Sequence, residues 1–146
     1  MTAKSGIVSL ADTPQLVARC HSVMRELRPQ YPDEKQFVDI VMQQFQGGYK
    51  MAFVEHEDTV RSVAGYRFTK SLSWGHHLYV DDLITREADR GTGFGSLLFD
   101  WLVEEARAAG CVRFHLDSGV QRFGAHRFYL HKRMDIIAHH LALGLD

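Results

Sequence analysis

The sequence predicts a single α/β domain in which helices flank a mixed, mostly antiparallel central sheet. Three observations predict it. Residues 78–116 read as a strand, a glycine-rich turn, an amphipathic helix and a second strand, the length a right-handed crossover between parallel neighbours needs. Residues 51–68 read as two strands around a short polar turn, an antiparallel hairpin. The chain of 146 residues, 45% hydrophobic and 24% charged, is long enough for one core and too short for two ordinary ones.

Each element has its own signals. Ile7 to Leu10 is a short apolar strand, after which Asp12-Thr13-Pro14 supplies a cap and a first-turn proline. Leu16, Val17, Cys20, Val23, Met24 and Leu27 then share one helical face, and that helix ends before Pro29. Arg28-Pro29-Gln30-Tyr31-Pro32 makes a stiff connection whose Arg28 and Tyr31 are expected to face a ligand. Asp33 caps a second helix with Phe37, Ile40, Val41 and Phe45 buried, stopped by Gly47-Gly48. Met51 to Val54 and Val60 to Phe68 form the hairpin, in which Gly65 marks a bulge or a close approach.

Lys70 to Gly75 is a turn, and Leu78 to Thr85 the next strand, whose alternation puts Tyr79, Asp81 and Leu83 on one face if no bulge intervenes. Phe94, Leu97, Leu98, Trp101, Leu102, Ala106 and Ala109 line one side of the following helix, with Gly110 past its end. Val112, Phe114 and Leu116 alternate with Arg113 and His115 in a strand. Ala125 to Arg133 is a short helix, and Ile136 to Leu143 is expected to supply one or two closing strands. No repeat or linker interrupts this order.

A net charge of −1 argues against a nucleic-acid or polyanionic-membrane partner, so any anion site must be local. Cys20 and Cys111 lack metal-ligand spacing and are expected as free thiols. No apolar run approaches spanning length and the first ten residues lack a signal-peptide core, which points to a cytoplasmic protein. Among nine histidines, the pairs His76-His77 and His139-His140 point to opposite faces of a strand, and His126 and His131 do not stack on a helix. No metal site is expected.

The local anion site is Arg90-Gly91-Thr92-Gly93-Phe94-Gly95-Ser96. Glycines at alternate positions remove Cβ atoms from the approach to the backbone, and the helix that follows presents unpaired N–H groups at its positive end. Arg90 adds a planar charged fork suited to phosphate. No Lys-Ser or Lys-Thr follows the glycines, so the P-loop pattern fails, and Ser96 stands where a dinucleotide fingerprint needs Gly or Ala.

The turn resembles the Arg-x-x-Gly-x-Gly motif of the GCN5-related N-acetyltransferases (GNAT), carried here by Arg90, Gly93 and Gly95. A second segment, Ala125-His126-Arg127-Phe128-Tyr129, is similar to the family's Ala-x-x-Phe-Tyr, and the element order matches over nearly the whole chain. The resemblance implies a GNAT fold that binds acetyl coenzyme A, its pyrophosphate on the N–H groups of Gly91, Thr92, Gly93, Phe94, Gly95 and Ser96. It implies that backbone groups of Leu83, Ile84 and Thr85 bond the pantetheine arm, and that Tyr129 lies near the coenzyme sulfur. Family members are often dimeric, and the closing strands would offer an edge through which two copies could pair.

Acetyl transfer to an amine is aminolysis of a thioester, which needs a held coenzyme, a neutral amine, a stabilised carbonyl oxygen and a departing thiolate. Tyr129 is the candidate for assisting the sulfur. A phenol of pKa about 10 is a weaker acid than a thiol of about 8.5, so full proton donation is uphill by about 2 kcal/mol and a hydrogen bond comes first. Asp81 stands where many members carry a basic glutamate, with Asp82 beside it, one facing the cleft and the other away. A carboxylate of ordinary pKa near 3.9 is a poor base toward an ammonium, so it must be raised by burial or act by binding the cation. His76, His77 and His115 compete for the role.

Two departures from the family pattern stand out. Arg122 replaces the asparagine common three residues before the second motif, and Arg133-Met134 replaces Gly-Phe after it. The expected reaction is transfer of an acetyl group to a primary amine of a small molecule whose identity nothing in the sequence selects. It should enter between the Arg28 to Asp33 connection and the turn after Phe68, where Asp82 would favour an amine and Arg28 an acid group on it. A catalytically silent coenzyme-binding sensor and an α/β interaction module that binds no coenzyme are the alternatives left open.

Overall fold

A computed structural model describes residues 6–146. Five strands form one sheet in the order β1-β2-β3-β4-β5: Ile7–Leu10, Lys50–His56, Thr59–Ser71, Gly75–Thr85 and Arg113–Leu116. The first three pairings are antiparallel. β5 returns through a helix, and Val112 N–H donates to the carbonyl of His76 (2.8 Å), so both strands start at the same end of the sheet. The sheet is therefore mixed and mostly antiparallel, as the periodicities indicated.

The expected first helix is two, α1 (Pro14–Arg19) and α2 (His21–Leu27), broken at Cys20. Thr13 caps α1 by accepting from Leu16 N–H (3.2 Å), and Asp33 caps α3 (Glu34–Gln46) by accepting from Gln36 N–H (3.1 Å). Val17, Cys20, Val23 and Met24 from the predicted face join Phe37 and Val41 of α3 against Met51, Phe53, Val63 and Ile84, all buried. α4 (Phe94–Ala108) covers the other sheet face with Phe94, Leu98, Leu102 and Ala106, while Ala109 is exposed. In β5 it is His115, not the apolar alternation, that is buried, beneath Trp74 stacked at 3.7 Å.

The chain divides into two compact units at His115–Leu116. The second holds α5 (Phe123–His131), and Arg133 then turns the chain with φ 69. The closing strands expected over Ile136 to Leu143 do not form: residues 135–146 have no strand, and Ile136, Leu141 and Leu143 are exposed. Apolar residues make a segment able to pair, but a strand exists only where a neighbour supplies the ladder. With it goes the edge on which the sequence argument for pairing rested.

Candidate active site

The turn between β4 and α4 is built on one buried carboxylate. A 3-10 turn at Glu87–Asp89 follows β4, and Asp89 accepts from Arg86 Nε (2.7 Å) and Arg61 Nη1 (3.1 Å). Burial works to raise the Asp89 carboxyl, but the two guanidiniums outweigh it and hold it below its usual range. The Asp89 carbonyl also accepts from the Thr92 hydroxyl. Gly91 (φ 78) and Gly93 (φ 97) then sit in the left-handed region, and Gly93 opens α4 with no side-chain cap. The helical ladder begins at Leu97 N–H to Gly93 O (3.0 Å), so the N–H groups of Phe94, Gly95 and Ser96 precede it.

Nothing lies within 4 Å of where a Gly91 Cβ would stand, which leaves that backbone open to a phosphate. Gly95 is different. A Cβ there would lie 2.6 Å from Thr85 Oγ1, so this glycine seats the helix start against the strand end. Phe94 is buried under the Arg61 guanidinium (5.7 Å) and can offer only its backbone. Arg90 is half-exposed, its Nε 3.4 Å from Thr85 O and its Nη2 3.9 Å from Glu26.

Leu83, Ile84 and Thr85 pair with Ala64, Val63 and Ser62 of β3. On the other side β5 starts beside His76 and is only four residues long, too short to reach residue 83. Among the described residues, backbone groups of β4 that point away from β3 near Leu83 therefore have no strand partner in the sheet, as a hydrogen-bonding ligand arm requires.

The carboxylates depart from the expected alternation. Gly65 faces Asp82 and Tyr66 faces Val80, so Asp81 is an extra residue, bulged out of β4. The bulge turns both acids to one side instead of opposite sides. Arg67 Nε donates to Asp81 Oδ2 (2.8 Å), and Arg28 donates through Nε to Asp82 Oδ1 (2.8 Å) and through Nη2 to the Asp81 carbonyl (3.0 Å). Tyr49 Oη donates to Asp82 Oδ2 (2.6 Å). Burial, then the adjacent Asp82 charge, push the Tyr49 phenol well above its ordinary value, so it remains a donor.

Gly65 makes this arrangement fit, because a Cβ there would lie 1.6 Å from Tyr49 Oη. All these side chains except Gly65, with Tyr31, line one cavity of about 320 Å³ walled by α2, α3 and the β3–β4 bulge. The turn after Phe68 is not part of its lining, and α3 takes the place expected of it. No histidine lines it either. His77 Nδ1 bonds Gly75 O (2.9 Å) and His115 accepts from Arg113 (2.9 Å), both as buried packing groups. Tyr49 and Arg67 were not singled out from the sequence, and the signal that could have found Tyr49 was Gly65 in mid-strand.

In the second unit Tyr129 is buried on α5. Burial pushes its phenol above the ordinary value, against the opposing pull of Arg122, whose side chain is hydrogen-bonded to it. Arg122, the departure from the family's asparagine, is thus tied to the candidate tyrosine. Among the described residues no group of three or more His, Cys, Asp or Glu is placed to hold a metal, and no helix is long and apolar enough to cross a membrane.

Comparison with known proteins accords with this geometry. The sequence model of the acetyltransferase (GNAT) family matches residues 16–134. The uncharacterized N-acetyltransferase YhdJ of Bacillus subtilis is 34% identical over 116 residues, 79% of this chain and 81% of that protein. The aminoalkylphosphonate N-acetyltransferase of Salmonella typhimurium is 41% identical over 51 residues, 35% of this chain and 33% of its own. A crystal structure of a Trypanosoma brucei acetyltransferase superposes with a TM-score of 0.80 at 17% identity, covering 97% of this chain and 100% of that one.

Proposed function

The chain belongs to the acetyltransferase (GNAT) family and is an N-acetyltransferase of that type, and we propose that it acetylates the primary amine of a small molecule held in the Asp81–Asp82 cavity. The family implies acetyl coenzyme A as co-substrate. The observation that carries the reading is the opening of α4. Two left-handed glycines and an uncapped first turn leave main-chain N–H groups accessible where a diphosphate would lie, directly after the end of β4 that extends beyond β5.

In this reading residues 90–96 hold the diphosphate, Arg90 through its side chain and the glycines and helix start through their N–H groups, since the N–H groups of Arg90 and Thr92 are donated to Glu87 O (3.3 Å) and Asp89 O (3.2 Å). Leu83, Ile84 and Thr85 bond the pantetheine arm, with one of their N–H groups polarising the thioester carbonyl. Asp81, paired with Arg67 and not buried, binds the acceptor's ammonium and orients it, and the ammonium gives up its proton to water beside Asp81. The amine nitrogen attacks the carbonyl carbon and sheds its second proton to solvent, the carbon–sulfur bond breaks, and the sulfur leaves with its electron pair. Tyr129 donates a hydrogen bond to the developing thiolate, while solvent supplies the proton that completes the thiol. A raised phenol is a poor proton donor, and Tyr129 therefore acts as a hydrogen bond. The partial likeness to an aminoalkylphosphonate N-acetyltransferase supports a small acceptor, and so does the size of the cavity.

The test is calorimetry with acetyl coenzyme A alongside free-thiol release across an amine panel, repeated on Gly93→Val. The expected result is binding and turnover in the parent and loss of both in the variant, because no branched side chain adopts φ 97 without strain. Binding without turnover of any amine would leave a sensor, and no binding at all would leave an interaction module.

A further inference from the structure

We propose that the acceptor is a compact zwitterion: an amine carrying a carboxylate, phosphonate or phosphate a few bonds away, with the acid group on Arg67 and Arg28 and the ammonium on Asp81. This deepens the reading of the cavity as the acceptor site and rests on it. The four charged side chains there, two arginines and two aspartates, sum to zero and leave a specific set of groups open. Asp82 has both oxygens engaged, by Arg28 and by Tyr49. Asp81 uses only Oδ2, so Oδ1 has no hydrogen-bond partner among the described residues.

Arg67 spends only Nε on Asp81 and lies over the Tyr49 ring (5.5 Å), so neither of its Nη atoms has an acceptor among the described residues. Arg28 uses Nε and Nη2 and keeps Nη1. The open inventory is thus one carboxylate oxygen beside three guanidinium nitrogens, the complement of one cation next to one anion. A diamine would set its second charge against the arginines, and a plain monoamine would leave their open N–H groups, on side chains more than a third exposed, to water and gain nothing from them. Because Arg67 and Asp81 form a single ion pair (2.8 Å), the two charges of the acceptor must lie close together. A volume of about 320 Å³ suits a molecule of amino-acid size.

The test compares β-alanine, 3-aminopropylphosphonate, propylamine and 1,3-diaminopropane as acceptors, with calorimetry of each in the presence of coenzyme A. At least one acid-bearing amine should exceed propylamine in kcat/KM by about tenfold or more, with the diamine no better than propylamine. In Arg67→Met that ratio should fall to within about threefold, mainly through KM. If this variant does not fold, Arg67→Lys, which keeps the charge and loses the fork, must still lower the ratio. Which acid-bearing amine wins separates carboxylate from phosphonate. Turnover of amines with no preference for an acid group overturns the proposal and leaves the transferase reading intact. Arg67-dependent binding of an acid-bearing amine without any turnover supports the proposal and sinks the transferase reading, and absence of such binding overturns the proposal.

Discussion

Replacing Gly65 by alanine should be among the most destabilising small substitutions in the sheet. The added Cβ would lie 1.6 Å from Tyr49 Oη, 2.3 Å from Tyr49 Cζ and 2.6 Å from Asp82 Oδ2, separations that no packing tolerates. The β3 backbone is held by β2 and β4 on either side, so the buried Tyr49 ring has to move. That forfeits its hydrogen bond to a charged carboxylate, about 1.5–3 kcal/mol, and adds repacking strain of about 1–3 kcal/mol. Alanine recovers about 0.5–1 kcal/mol over glycine in a strand interior. The expected net cost is roughly 2–5 kcal/mol out of a typical 5–15.

Urea unfolding followed by fluorescence measures it, with the m-value checked for constancy. The decisive comparison is the background. In Tyr49→Phe the ring carbon 2.3 Å away remains, so Gly65→Ala stays costly. In Tyr49→Ala the ring is gone and only Asp82 Oδ2, the end of a side chain 2.6 Å away, has to shift, so the same change should cost clearly less than it does in Tyr49→Phe. A Gly65→Ala protein within about 0.5 kcal/mol of the parent, or an equal cost in both backgrounds, would refute the claim that Tyr49 lies over Gly65.

Asp89→Asn should destabilise by about 2–3 kcal/mol at pH 7, since a largely buried carboxylate between Arg61 and Arg86 is replaced by a neutral amide. Because the folded-state pKa of Asp89 is lowered, its contribution is full above the unfolded value near 3.9 and vanishes as pH falls through the folded one, so parent and variant melts should converge in strong acid. Tyr129→Phe should lower kcat about tenfold with little change in amine KM, and the raised phenol should add no alkaline limb to the parent's profile below pH 10. Cys20 is buried with its thiol pushed up to about 12, so native protein at pH 8 should titrate one accessible thiol, Cys111, and two after unfolding in urea.

Element identity was largely legible because it is local. Thr13 with Pro14, Asp33, and Gly110 each punctuate a helix end through their own chemistry, and the structure uses them so. The break at Cys20 was not legible, since the apolar face of α1 continues into α2 without a change of period. Nor was the fate of Ile136 to Leu143, because the apolar residues there carry no information about whether another strand will meet them. The buried His115 inverts the expected face of β5 because Trp74, distant in sequence, supplies a flat partner for its ring.

The carboxylate pair shows why a site can escape a reading that gets its strand right. Two adjacent acids on a regular strand face opposite ways, which is the cheapest arrangement for like charges, and period-two reasoning returns that answer. Turning both to one side requires an inserted residue and a compensating cation for each. Here Asp81 is the insertion, Arg67 and Arg28 are the cations, and Arg28 also takes up the bulged residue's carbonyl. These parts come from α2's end, β3 and β4, and each is unremarkable alone. Only Gly65 bears a local trace of the assembly, because the partner that fills the space above it, Tyr49, arrives from sixteen residues away in sequence with its hydroxyl already committed to Asp82. Removing either arginine would set two carboxylates side by side without their counter-charges, so the bulge, the ion pairs and the glycine stand or fall as one unit.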